Sequence, residues 1–140
     1  MLLKNLNHIQ QLMRDQGHWG GIHAVYNIYN ATNLLELTDF ARRRGLAIHW
    51  QSLYQPECLD PSNLGEDVVN LAQDQIQQLL EQGGCLSAEQ QFFETVLENL
   101  QSKQDLRSQL NEHTALMEQK YHPTSQGEFA RLWPEIQQCL

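Results

Sequence analysis

The fold of this chain is decided by the stretch Gly21-Ile-His-Ala-Val-Tyr-Asn-Ile-Tyr-Asn30 and by a second stretch, Leu46-Ala-Ile-His-Trp-Gln-Ser-Leu-Tyr-Gln-Pro56. Both are rich in β-branched, aromatic and amide residues, which predicts two β-strands. The segment between them is long enough for one crossover helix, so together they predict a βαβ unit. No other stretch has a strand pattern. Because a lone parallel pair leaves its edges unpaired, we expect it to belong to a larger sheet or barrel.

Helix signals surround the two strands. The apolar residues before Gly17 fall close to one helical face, and Gly17 is a typical helix stop. The crossover helix is predicted to be capped by Asn33, with Glu36 three residues on in a near-capping-box arrangement, and to end at Gly45.

From about Ser62 onward the apolar spacing becomes helical throughout. Ser62 or Asn63 is expected to cap the first of these helices, and Ser87 with Gln90 the second. The pattern therefore predicts a change from α/β to all-helical structure near residue 60.

The third of these helices is predicted to break at Pro123, with further short helical segments starting at Ser125 and Pro134. We accordingly expect an α/β fold class: an incomplete βαβ barrel fragment followed by a mainly helical C-terminal half. Residues 1–60 would form the partial α/β barrel segment, and residues 61–140 the helical C-terminal extension.

The charge is unevenly distributed. The formal net charge is −8, and the segment from residue 57 onward holds 14 of the 17 acidic side chains. An acidic helical half repels a phosphate backbone, so we expect no nucleic-acid partner. Three widely spaced cysteines give no disulfide framework and no zinc-ligand spacing. Without an export signal or a long apolar run, the chain is expected to be soluble and cytoplasmic, with no membrane contact.

Neutral polar side chains gather where the strands are predicted to end. In a barrel, chemistry concentrates at the C-terminal ends of parallel strands. The ligand-facing candidates there are Asn27, Tyr29, Asn30, His49, Gln51 and Tyr54. Such groups suit a polar ligand, for example a nucleoside or an amino-acid group. The alternative is that Asn27 and Asn30 only fix the turn into the helix.

Two histidines are predicted to be neighbours, because His23 and His49 occupy similar places in their strands. Two ligands are too few for a structural zinc site or for a typical catalytic one, so no metal site and no catalytic residue is predicted. A small hydrolase or metal enzyme built around this pair is kept as a third alternative.

The runs Val25-Tyr-Asn-Ile-Tyr-Asn30, Leu34-Leu-Glu-Leu-Thr-Asp-Phe-Ala41, Gly45-Leu-Ala-Ile-His-Trp50 and Leu53-Tyr-Gln-Pro56 resemble the late barrel repeats of radical SAM proteins. The resemblance is to the branch with a twitch-type C-terminal extension, and Phe129-Ala-Arg-Leu-Trp-Pro-Glu-Ile136 resembles its tail. It implies a C-terminal piece of such a protein. The defining Cys-x3-Cys-x2-Cys motif is missing.

The resemblance implies S-adenosylmethionine and a [4Fe–4S] cluster only for a full-length relative, and no cofactor for this chain itself. The expected function is a fragment or subunit that contributes to a substrate or S-adenosylmethionine pocket without being catalytic alone. Its partner would be the missing N-terminal half of the barrel, or a second copy in a homo-oligomer. The alternative is a non-catalytic helical interaction module that completes its sheet with a partner or a second copy.

Overall fold

The architecture comes from a computed structural model that describes residues 2–18, 20–53, 55–121 and Arg131. The described part is mixed α/β and mainly helical. Its elements in chain order are α1 (Leu2–Asp15), β1 (Gly21–Tyr26), α2 (Ile28–Ala31), α3 (Leu34–Arg43), β2 (Ala47–Ser52), two short 3₁₀ turns (Glu57–Leu59 and Pro61–Asn63), α4 (Glu66–Gln82), α5 (Ser87–Asn99) and α6 (Arg107–Tyr121).

The sheet confirms the predicted βαβ unit. Strands β1 and β2 pair in parallel, in a register that runs from Gly21 opposite Ala47 to Tyr26 opposite Ser52. Within the described ranges the sheet consists of these two strands. The larger barrel expected from the sequence remains a prediction.

Strand β1 is shorter than predicted. It ends at Tyr26, whereas the sequence pattern predicts a strand up to Asn30. The reason is local: Asn27 caps the short helix α2, and its backbone accepts the amide of Ala31 at 2.8 Å. An asparagine side chain that bonds its own backbone offers the chain an alternative to the strand ladder.

The crossover therefore contains two helices, α2 and α3, instead of one. Asn33 occupies the N-cap position of α3 as predicted, but its side chain makes no capping hydrogen bond, so the near-capping box with Glu36 is wrong. Gly45 does end the helix, with a positive φ of 64° that only glycine adopts without strain. The predicted helix end at Gly45 is therefore confirmed, and β2 begins two residues later, at Ala47.

The caps of the next two helices also differ from the prediction. Gly65, with a φ of 93°, is the N-cap of α4, while Ser62 and Asn63 lie in the preceding 3₁₀ turn. Leu86 is the N-cap of α5, so the predicted Ser87–Gln90 box is wrong. Tertiary packing positions these helices, since neither cap residue supplies a side-chain bond.

The predicted break at Pro123 and the helices starting at Ser125 and Pro134 lie outside the described residues. Among the helices that are described, none combines the length and the apolar character needed to cross a bilayer.

One apolar core joins the two segments that the sequence divides near residue 60. Side chains from β1, the crossover and the helical half meet there, with helix α4 packed against α3 and helix α5 packed against β2. Its buried members are Tyr26, Ala31, Leu34, Val69, Ala72, Ile76, Leu79, Phe93 and Leu100.

Candidate functional site: a cleft at the strand ends

The two faces of the sheet have different environments. Ala24, Tyr26 and Ile48 point to the face covered by helices and are buried. His23, His49 and Gln51 point to the opposite face and are exposed. Alternation along each strand places these two sets of side chains on opposite sides of the sheet. The sheet is thus packed on one side and polar on the other.

The predicted neighbourhood of the two histidines is confirmed. His23 lies directly opposite His49 in the register, and Nε2 of His23 is 3.1 Å from Oε1 of Gln51. His49 and Gln51, both ligand-facing candidates, therefore share the open face of the sheet. Their role in contacting a ligand stays a prediction.

Asn27 and Asn30 are engaged in local hydrogen bonds. Oδ1 of Asn27 accepts the amide of Tyr29 at 2.9 Å, and Oδ1 of Asn30 accepts the amide of Asn27 at 3.0 Å. Both side-chain amides donate to the carbonyl of Val25, at 3.1 and 2.8 Å. This reciprocal box fixes the turn from β1 into α2, which is the structural alternative considered from the sequence.

Of the two remaining candidates, Tyr29 lies apart from the open face of the sheet. The Tyr29 hydroxyl is 3.4 Å from Oγ1 of Thr114 on α6, and burial raises the pKa of Tyr29. Its ring packs against a second apolar cluster around Ile28 and Cys58. Tyr54 lies outside the described residues.

A cleft of about 650 Å³ opens at the C-terminal ends of β1 and β2, on the helix-covered face. Tyr26 and Ser52, the last residues of the two strands, form part of its wall. Helix α5 contributes one side of its surface, and the volume lies within the range of small-molecule sites. The residues of α5 that line the cleft are Ala88, Gln91, Phe92, Thr95, Val96 and Asn99.

Two opposite charges stand at this cleft. Nζ of Lys103 lies 3.9 Å from Oδ2 of Asp60, which is close enough for attraction but too long for a hydrogen bond. Oδ1 of Asp60 accepts from the amide and the hydroxyl of Ser62 at 2.9 and 2.7 Å. The carboxylate is therefore fixed by the 3₁₀ turn, while Oδ2 keeps hydrogen-bonding capacity.

The Tyr26 hydroxyl is buried without a hydrogen-bond partner. Burial raises the pKa of this hydroxyl, and the nearby Asp60 carboxylate raises it further. Buried polar atoms are usually paired, because a lost hydrogen bond costs free energy. Tyr26 and Asp60 both line the cleft, so the unpaired hydroxyl belongs to a residue of its wall.

One wall of the cleft is aromatic. Trp50 and Phe92 are stacked with an interplanar angle of 18° and centroids 6.3 Å apart, and Phe93 packs edge-on beneath both. The Trp50 indole donates to Oε1 of Glu89 at 3.2 Å. This bond fixes the ring at the cleft wall.

A polar cluster supports that wall from behind. Arg42 of α3 lies 3.9 Å from Oε2 of Glu89 and 3.3 Å from Sγ of Cys85. Burial and the Glu89 charge raise the pKa of Cys85, while Arg42 acts in the opposite direction. Residues of α3, β2 and α5 are thereby joined in one network.

Metal ligands do not converge in the described part of the chain, where no group of three His, Cys, Asp or Glu side chains is arranged to hold an ion. Cys58 is buried in an apolar cluster, and Cys85 contacts Arg42. These residues do not fit an iron–sulfur cluster, which needs several converging thiolates. Cys139 lies outside the described residues.

Comparison of the chain with protein-family models, with curated proteins and with solved structures gives no match.

Three residues of the cleft were missed by sequence reasoning: Tyr26, Asp60 and Lys103. Tyr26 ends the apolar side of β1 and resembles an ordinary core residue, while 43 positions separate Asp60 from Lys103. One usable signal existed, because Asp60 precedes Pro61 and an aspartate at that place typically caps a turn.

Proposed function

We propose that this chain supplies the last two strands and the helical cap of a radical SAM-type barrel, and that it binds and orients a ligand without being catalytic alone. The observation that carries the proposal is the one-sided packing of a parallel strand pair. In a βα barrel, helices cover the outside of each strand, and the other strand face points to the interior. His49 and Gln51 on the open face would then line the S-adenosylmethionine or substrate pocket.

The [4Fe–4S] cluster belongs to another part of the assembly in this proposal. The Cys-x3-Cys-x2-Cys motif does not occur in the sequence, so earlier barrel strands, in the same polypeptide or in a separate subunit, would carry it. S-adenosylmethionine supplies the radical chemistry when bound beside such a cluster. The proposal includes a cytoplasmic location, which the free thiols Cys58 and Cys85 support.

Reconstitution tests this proposal. The 140-residue chain is incubated anaerobically with iron, sulfide and reductant, and the same chain is purified anaerobically through a C-terminal tag from its source organism. We expect no cluster chromophore on the isolated chain. We expect iron, acid-labile sulfide and S-adenosylmethionine cleavage in the material from the source. A 4Fe–4S chromophore on the isolated chain, or neither iron nor sulfide in the source material, contradicts the proposal.

A charged substitution on the open face of the sheet tests whether that face lies inside a barrel. Gln51→Lys should reduce the iron recovered with the tagged protein, because it places a cation where the barrel interior would close. Gln77→Lys, on an exposed position of α4, is the control and should leave recovery unchanged. If the two variants recover equal amounts of iron, the open face of the sheet does not lie in a barrel interior.

A second candidate is a helical interaction module that completes its sheet with another copy. It is favoured by the sheet edges, since β1 and β2 each pair on one side only within the described residues. Sedimentation analysis distinguishes it: this candidate requires a concentration-dependent dimer, and a monomer at high micromolar concentration removes it.

A further inference from the structure

The cleft combines features that select a particular ligand chemistry. One anion and one cation, Asp60 and Lys103, lie 3.9 Å apart among neutral groups. A ligand with a net charge would be attracted by one of them and repelled by the other. A ligand that carries both charges is attracted by both.

The short separation of the two charges restricts how the ligand's own charges are spaced. Because Nζ and Oδ2 are neighbours, the ammonium and the carboxylate of the ligand must also be neighbours. A free α-amino acid meets this condition, whereas the two ends of a peptide are farther apart. Lys103 would bond the carboxylate, and Oδ2 of Asp60 the ammonium.

The aromatic wall indicates which ligand side chain would fill the rest of the cleft. Phe92 and Trp50 present apolar surface beside the charged pair, and the cleft is larger than an amino-acid backbone needs. A large apolar or aromatic side chain would bury its surface there.

The Tyr26 hydroxyl is an independent sign of a missing polar partner, because it is buried and unpaired on a residue that lines the cleft. A small side-chain movement would allow it to donate to a bound carboxylate. We propose that this cleft is a binding site for a free α-amino acid with a large apolar or aromatic side chain. The site does not depend on the barrel function proposed above, since it lies on the opposite, helix-covered face of the sheet.

Calorimetric titration of the full chain with L-phenylalanine tests the proposal, with phenethylamine and 3-phenylpropionate as analogues that lack the carboxylate and the ammonium. We expect L-phenylalanine to bind, and each analogue to bind at least about tenfold more weakly, because each loses one charge-assisted hydrogen bond. No heat with millimolar L-phenylalanine, or equal affinity for an analogue, overturns the proposal.

Two variants assign the charges. Lys103→Met should weaken the binding of L-phenylalanine and 3-phenylpropionate but not that of phenethylamine, whose ammonium would no longer be repelled by the lysine. Asp60→Asn keeps an oxygen for the Ser62 bonds and should weaken L-phenylalanine and phenethylamine only. Arg43→Met and Asp74→Asn, at exposed positions away from the cleft, are matched controls. Unchanged affinity in Lys103→Met overturns the proposal even if Asp60→Asn fails to fold.

Tyr26→Phe supplies a readout that a purely structural role would not give. Without ligand, the variant should be more stable, because an unpaired buried hydroxyl has been removed. Its affinity for L-phenylalanine should nevertheless fall. A variant that is more stable and binds L-phenylalanine with unchanged affinity contradicts a ligand contact by this hydroxyl.

Discussion

The indole of Trp50 and the carboxylate of Glu89 are joined across the interface of sheet and helix, with Nε1 donating to Oε1 at 3.2 Å. Glu89 is only 9% exposed and lies in the first turn of α5, where the helix dipole favours a negative charge. Arg42 balances the same carboxylate from α3 at 3.9 Å. One buried acid therefore connects three elements.

Replacing Glu89 should separate its charge from its hydrogen bond. Glu89→Ala removes both the acceptor of the partly buried Trp50 indole and the acid beside Arg42, and we expect a loss of about 1–3 kcal/mol in the free energy of unfolding. Glu89→Gln keeps an acceptor and should lose less than about 1 kcal/mol. Urea unfolding measures both. Glu94→Ala, on the exposed side of α5, serves as the control, and equal losses in Glu89→Ala and Glu94→Ala would show that the contacts of Glu89 with Trp50 and Arg42 are unimportant.

The asparagine box after β1 should contribute to stability. Asn27→Ala removes the cap of α2 and one bond to the Val25 carbonyl, with an expected cost of about 1–2 kcal/mol. Asn70→Ala, on the exposed side of α4, should have little effect. Thermal unfolding of the two variants checks the difference, and equal midpoints would contradict the role given to the box.

Stability should decline in alkaline solution because of Tyr26. Burial raises the pKa of this hydroxyl above its ordinary value of 10.0, so above that pH the unfolded chain loses a proton that the folded chain keeps. The contribution of the protonated Tyr26 hydroxyl to the free energy of unfolding is fully present below pH 10.0. It declines as the pH rises further, by at most about 1.4 kcal/mol per pH unit.

Urea titrations between about pH 9 and 11 test this linkage. Tyr26→Phe should show a shallower decline than the parent chain, since only the parent has this proton to lose. Identical pH dependence in the two proteins would mean that Tyr26 ionises as easily in the folded state as in the unfolded one.

Phe93 should couple the two segments into one unfolding unit. Its ring is fully buried and contacts Tyr26 and Trp50 from the strands. Phe93→Ala should cost about 3–5 kcal/mol. Hydrogen exchange should then show equal loss of protection in β1 and in α4. Loss confined to residues after 61 would instead indicate two independent units.

Sequence patterns predicted the elements better than their ends. The register of His23 with His49 followed from two runs of similar composition and length, because parallel strands joined by one crossover align their starts. The end of β1 was wrong, since the side-chain bonds of Asn27 and Asn30 outweigh the strand propensity of Ile28 and Tyr29.

The cleft could not be predicted for a different reason. Asp60 and Lys103 meet only after α4 has packed against α3 and α5 against β2, and the aspartate–proline signal at Asp60 indicates a turn but not its distant partner. The burial of the Tyr26 hydroxyl likewise depends on where α5 packs. Long-range packing, which leaves no periodic trace, determined the site.

Because helices cover only one face of the sheet, the twelve strand residues fall into two groups whose substitutions are limited by different contacts. Substitutions at Ala24, Ile48 or Trp50 are restricted by the volume available under the helices. Substitutions at His23, His49 or Gln51 are restricted only by whatever covers the outer face. A library of variants can therefore randomise the residues of each face in turn. Outer-face positions where substitutions abolish function, although the isolated variant folds normally, would mark the surface that a covering partner contacts.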